Sequence, residues 1–276
     1  MSLSFRYSVG DTEQPVISGS PLWESPLPTG RHHFRYGENI GARPAGITHG
    51  DYFTTVRRFL EEDGRLILSR ALAPEPLRSF TGIDICLMKH GEYYHPARIA
   101  ATGNGRRRFF VLNVAVSEAG CRIIDGEIAA LRRLGKMPGP SFVPRFYGRG
   151  SLPLDNGRKV RMFLGEWFEG YHEFHLSTRS SRDLCVWKED SLFFLSREAA
   201  YLIYHQAAKI LTRYYNTVTT EHISHWHHAG GDFIAECRDN RVNVRLITVR
   251  HYGPLLKIDN GAHDPAFPYE KALAAL

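Results

Sequence analysis

The sequence predicts an α+β fold, and three observations carry that prediction. Three short apolar runs separated by turn residues precede one amphipathic helix, and two more such runs follow it. A long helix with an apolar stripe comes next. A Gly-Asp turn with two further strand-like runs completes the recognisable pattern.

Residues 1–50 are rich in Gly, Pro, Ser and Thr, with Trp23, Phe34 and Tyr36 interspersed, and predict an irregular arm or short strands. Asp51 is a candidate cap for a helix that carries Val56, Phe59 and Leu60 on one face and ends at Gly64. Residues 66–72 read as a strand closed by Pro74 and Pro76. Strands follow at 83–89, 98–102 and 109–116, the last an apolar, β-branched run typical of a buried position. A helix over 121–134 has Ile124, Ile128 and Leu131 on one face and Gly135 near its C-cap. Residues 145–150 and 160–168 are two more strands, joined by a polar turn. The segment 169–176 is extended. A helix then spans 196–216, with Ile203, Ala207, Ile210 and Tyr214 in its stripe, and strands at 234–237 and 242–249 close the pattern.

Hydrophobic residues make up 43% and charged residues 23% of the 276, an ordinary globular balance that argues against general disorder. The length suffices for one large domain or two lobes. A formal charge of +6 is a mild bias that suits a phosphate-bearing ligand. Without a concentrated basic stripe it does not call for nucleic acid. The densest basic run, Arg106-Arg107-Arg108, is expected at a solvated hairpin tip. Cys86, Cys121, Cys185 and Cys237 are scattered, so neither a zinc ribbon nor a disulfide framework is expected. No apolar run approaches the roughly 18 residues of a membrane span, and the first residues do not read as a secretory signal. A reducing cytoplasm is the expected setting.

The chemistry-bearing stretch runs from His225 to Gly253, where a His-rich turn leads into Gly231-Asp232-Phe233. Together with the element order over residues 83–253, it resembles the protein-kinase-like fold. The closer likeness is to the aminoglycoside and choline phosphotransferases, whose loop reads roughly HGD-x-H-x-x-N. The resemblance implies a two-lobed molecule. Residues 1–82 would be an extension packed on the first lobe, 83–168 an antiparallel five-stranded N-lobe, and 169–276 a reduced, mainly helical C-lobe. It implies that Asp232 takes the position of the catalytic Asp that orients an acceptor hydroxyl, with His228 beside it. Glu127 takes the position of the Glu that pairs with a phosphate-binding Lys. Glu166 and Phe168 fall where an interlobe hinge binds adenine through backbone groups.

Departures from the family pattern are equally specific. Asn113 stands where the phosphate-binding Lys is expected and cannot neutralise phosphate. Glu236 is the nearby oxygen ligand after Asp232, and Thr248 stands where a metal-binding Asp is expected. The His90-Gly91-Glu92 turn lacks the repeated glycines that let amides approach phosphates. The expected function is therefore a degenerate kinase-like protein that binds a nucleotide, a small molecule or a protein partner in an interlobe cleft.

Two alternatives stand beside it. One is an active phosphotransferase using ATP and magnesium, with Lys89 or Arg98 taking the phosphate role and Asp232 with Glu236 holding the metal. The other is a metal-binding enzyme built from His225, His227 or His228 with Asp232. His172-Glu173-Phe174-His175 lacks the spacing of a zinc-protease helix; Glu173 and His175 would share one face of an extended segment, lining the cleft or facing solvent. No GxSxG elbow, Walker loop or dinucleotide fingerprint is present.

Overall fold

The computed structural model describes residues 3–10, 13–29, 43–154, 157–176, 184–188, 191–224, 226, 231–238 and 241–254. The chain begins with β1 (Ser4–Val9) and the two-residue β2 (Gln14–Pro15), then a single-turn helix α1 (Pro21–Glu24) and the pair β3 (Pro26–Thr29) and β4 (Arg43–Thr48). Helices α2 (His49–Glu61) and α3 (Asp63–Leu72) follow. Thr48 caps α2 in a reciprocal box: Asp51 N–H donates to the Thr48 hydroxyl at 3.0 Å, and Thr48 N–H donates to the Asp51 carboxylate at 2.7 Å. Asp51 thus takes part in the cap from the third helical position.

The meander β5 (Gly82–Leu87), β6 (Ala97–Gly103) and β7 (Arg106–Ala115) leads into α4 (Glu118–Leu134), and β8 (Phe146–Pro153) and β9 (Lys159–Glu166) follow. These strands join β1 and β2 in one seven-stranded sheet of order β2-β1-β5-β6-β7-β9-β8. β1 lies parallel to β5, from Ser4 opposite Gly82 to Val9 opposite Leu87; the other pairings are antiparallel. The sheet is therefore mixed and wider than the five antiparallel strands expected. The expected hairpin tip also moves. Asn104 and Gly105, both at positive φ, make the β6–β7 turn, and Arg106, Arg107 and Arg108 lie in β7. Their side chains pair with Glu75 and Asp84.

Alternation along the strands splits their side chains between two cores. Leu112, Val114, Met162 and Leu164 face α2 and α3, packing with Tyr52, Phe53, Val56, Phe59 and Leu68. Ala115 and Phe163 face α4 and its buried Ile124, Ile128 and Leu131. Residues 66–72 are helical, not extended. Leu68, Ala71 and Leu72 recur at helical spacing and are buried, while Leu66 points outward. Gly64, expected to end the first helix, opens the next one against Phe59. A Cβ at Gly64 would lie 2.6 Å from the Phe59 carbonyl oxygen, so the tight junction requires glycine.

The second half contains β10 (His172–Leu176), β11 (Leu184–Lys188), β12 (Ser191–Phe194), α5 (Arg197–Arg213), β13 (Glu221–Ser224), β14 (Phe233–Arg238), β15 (Arg241–Leu246) and β16 (His251–Pro254). Among the described residues this half is mainly strand, contrary to the helical expectation. Its short apolar runs pair with each other as a β12-β11-β10-β14-β15 sheet and a separate β13–β16 ladder. α5 packs on β14 and β15, with Ile203, Ala207 and Ile210 joining α4 in the second core. Among the described residues no helix is long and apolar enough to cross a membrane.

Candidate functional site

Helix α4 carries an acid into the core by simple periodicity. Ser117 caps the helix by accepting from Gly120 N–H at 3.0 Å, and Glu127 falls three residues after Ile124 and four before Leu131, on the buried stripe. Glu127 is only 1% exposed. Its Oε1 accepts the Val249 backbone N–H at 2.9 Å, tying α4 to the segment between β15 and β16.

Asp232 arrives from the other side. Gly231 turns the chain with φ of 76°, and Asp232 follows at the mouth of β14 with no exposure to solvent. Its backbone carbonyl accepts from Ile247 N–H at 2.8 Å, and its two carboxylate oxygens accept from Arg250 at 2.5 and 2.6 Å. This is a two-point pairing in which the planar guanidinium matches the carboxylate. Burial works against the Arg250 charge, but the Asp232 hydrogen bonds outweigh it and raise the guanidinium pKa. Burial pushes the Glu127 carboxyl up to about 7, against the Val249 N–H, Tyr94 and Arg250, which favour its charged form. The Glu127 Oε2 and Tyr94 hydroxyl oxygens are both buried without a hydrogen-bond partner.

A second charged group sits beside the Gly-Asp turn. Lys89, just past β5, pairs with Glu173 of β10, and His175 lies 3.6 Å from Glu173 on the same strand face. A Cβ at Gly231 would lie 3.6 Å from both the Lys89 Nζ and a Glu173 oxygen. Burial opposes ionisation of Glu173, yet Lys89 and His175 hold its carboxyl well below the usual range.

The site residues expected from sequence fall into two sets. Glu127, Asp232 and the turn beside Lys89 are brought together from both halves of the chain. The others are not. Asn113 is half-buried in β7, opposite Phe163. The Glu166 carboxylate accepts from Arg145 N–H at 3.1 Å, and Phe168 packs on Tyr171 with Arg245 over its ring. Arg98 pairs with Glu13 and stacks over Phe109 and Trp167. Glu236 pairs with Arg238 at 3.2 Å and accepts from Asn243 at 3.4 Å. It lies four residues along the strand from Asp232, roughly 13 Å at strand rise, so these two carboxylates cannot share a metal ion. His225, His227 and His228 lie outside the described residues. Among the described residues no group of three His, Cys, Asp or Glu side chains is placed to hold a metal.

Sequence reasoning passed over Arg250 and the role of Tyr94. Thr248 stands where the family pattern places an acid, and the base that balances Asp232 stands two residues later. A cluster in the first half was missed as well. His49, His90 and His95 are all buried, and the Nδ1 atoms of His90 and His95 face each other at 2.9 Å. The His90–Tyr94 turn folds inward: Gly91 N–H donates to the Tyr94 carbonyl, and His95 N–H to the Val114 carbonyl of β7. Burial, with His49 nearby, lowers the His95 pKa to about 4.

Comparison of the sequence with models of known protein families gives no match, and comparison with curated proteins gives none either.

Proposed function

We propose that this chain is a degenerate kinase-like protein of the aminoglycoside and choline phosphotransferase type. It binds a small molecule or a protein partner in the cleft between its halves and does not transfer phosphate by the usual route. The strand run β5-β6-β7-β9-β8 with α4 after its third member supports the likeness, as do β10, α5 and the Gly231-Asp232 turn. One observation carries the functional half of the reading. Asp232, the acid that would orient an acceptor hydroxyl, is fully buried with both oxygens on Arg250. An acid so engaged has no accessible oxygen with which to receive a proton.

The residues do not fit a magnesium nucleotide. Asn113 offers no charge to phosphate, Thr248 no carboxylate to the metal, and Glu236 lies too far from Asp232 to join it. The half-buried Lys89–Glu173 pair beside Gly231 is where such a cleft would open. A ligand would meet charged groups there. Nucleic acid is a poor candidate, because the arginines at the start of β7 are matched by Glu75 and Asp84. A cytoplasmic setting is in keeping with four cysteines that are all free.

The test is thermal unfolding with ATP and GTP, each with and without magnesium or manganese. No metal-dependent rise in Tm is expected. A ligand at 100 times its Kd stabilises by about 2.7 kcal/mol, so an effect would be visible. A metal-dependent rise overturns this reading in favour of an active phosphotransferase, for which Lys89 beside Gly231 is the available phosphate-binding cation.

A further inference from the structure

The group that bridges the two halves behind the Gly231-Asp232 turn is a cation that belongs to the chain. Arg250 meets Asp232 through two hydrogen bonds, and its charge also acts on Glu127 and Tyr94. Asp232 and Glu127 are the two fully buried acids of the described residues, delivered from different halves. Glu127 keeps one carboxylate oxygen without a partner, in contact range of the Tyr94 hydroxyl, which also has none. Two carboxylates and a hydroxyl are the hard oxygen donors that a divalent cation such as manganese or magnesium prefers.

We propose that Arg250 is a built-in cation. Its guanidinium holds the place between Asp232 and Glu127 that a hard divalent cation would otherwise take, so the native chain binds no such metal there and a chain lacking Arg250 does. The inference rests on the paired Arg250–Asp232 contact beside the orphaned Glu127 oxygen, and holds whether or not the cleft takes a nucleotide. It also accounts for the choice of Arg over Lys at position 250. A planar, doubly donating group satisfies both Asp232 oxygens at once, whereas an ammonium is a single point charge.

The experiment uses the whole chain and manganese chloride with no nucleotide, reading the loss of the free-ion signal by electron paramagnetic resonance. Arg250→Met keeps the apolar stem and removes the charge. The native chain is expected to leave the ion free. Arg250→Met is expected to bind one ion per chain, at least tenfold more tightly than the double variant Arg250→Met/Asp232→Asn, and to gain Tm on adding it. Stoichiometric binding by the native chain that Asp232→Asn abolishes overturns the proposal. So does folded Arg250→Met that binds no more tightly than the double variant. If circular dichroism shows Arg250→Met unfolded both with and without manganese, Arg250→Gln, which keeps a donor to Asp232, is judged by the same criterion.

Discussion

Two buried polar clusters sit in the two cores, and they are built on opposite principles. In the first core, three buried imidazoles meet, those of His49, His90 and His95. In the second, Glu127, Asp232 and Arg250 meet with full charges in play. In the histidine cluster, burial favours the neutral form of His95. One of two facing Nδ1 atoms donates and the other accepts, so a proton added to the accepting ring would set two donors against each other. Its elements, the end of β4 with the start of α2 and the turn before β6, all lie in the first half. The acid–arginine cluster joins α4 to the β14 mouth and the β15–β16 segment, and so spans both halves. The histidine cluster fastens the first half of the chain; the acid–arginine cluster couples the two halves, and each missing partner there strands a buried ion.

The largest effect that could break this contrast comes from Arg250. Arg250→Met should cost about 3–5 kcal/mol in urea unfolding, because Asp232 is left buried and charged. Arg250→Met with Asp232→Leu should recover most of that loss. A single-variant cost under about 1 kcal/mol would show that the pair does not couple the halves.

Next in size is the response to pH, where the clusters oppose each other. The pKa of His95 falls from 6.5 unfolded to about 4 folded. Between those values only the unfolded chain takes up the proton, so stability drops as pH falls. The pKa of Glu127 rises from 4.5 unfolded to about 7 folded. There the folded chain holds the extra proton, so stability drops as pH rises. Each slope is about 1.4 kcal/mol per pH unit, and over the window from 4.5 to 6.5 the two cancel. Glu127→Gln should unmask a loss of stability on acidification, and His95→Asn a loss on raising the pH. Identical pH profiles for both variants and the native chain would sink the argument.

Smaller still are the caps that deliver each cluster. Ser117→Ala on α4 and Thr48→Ala on α2 should each cost about 1 kcal/mol by chemical denaturation. Only Ser117→Ala should also shift the Glu127 titration, since that helix positions the acid. At the bottom of the scale, Arg57→Ala removes an exposed pair with Glu61 and should change stability by about 0.5 kcal/mol or less.

Local patterning made much of this molecule legible. The strands β5 to β9, the helices α4 and α5 and the turn at Gly231 all announce themselves through apolar spacing and turn residues. What patterning misses is long-range pairing. β1 finds β5 across 78 positions, and Asp232 finds Arg250 across a whole hairpin. α3 was misread because a run such as Leu66-Ile67-Leu68 fits a strand equally well, and only burial of every third or fourth residue identifies the helix. Asp232 itself was legible as a singled-out acid. Its engagement was not, because its partner is a base two residues beyond Thr248, where the family pattern places an acid.

The outer strands of the large sheet have a consequence for how copies of this chain meet at high concentration. An exposed sheet edge invites another chain to add a strand. Here one edge is β2, two residues long and ending in Pro15, which has no N–H to offer a newcomer. The other edge, β8, shifts register between Phe146 and Gly148 and ends in Pro153. At β2 and at β8 the seven-stranded sheet thus offers poor templates for edge-to-edge growth, which helps protect a sheet this wide from seeding aggregates.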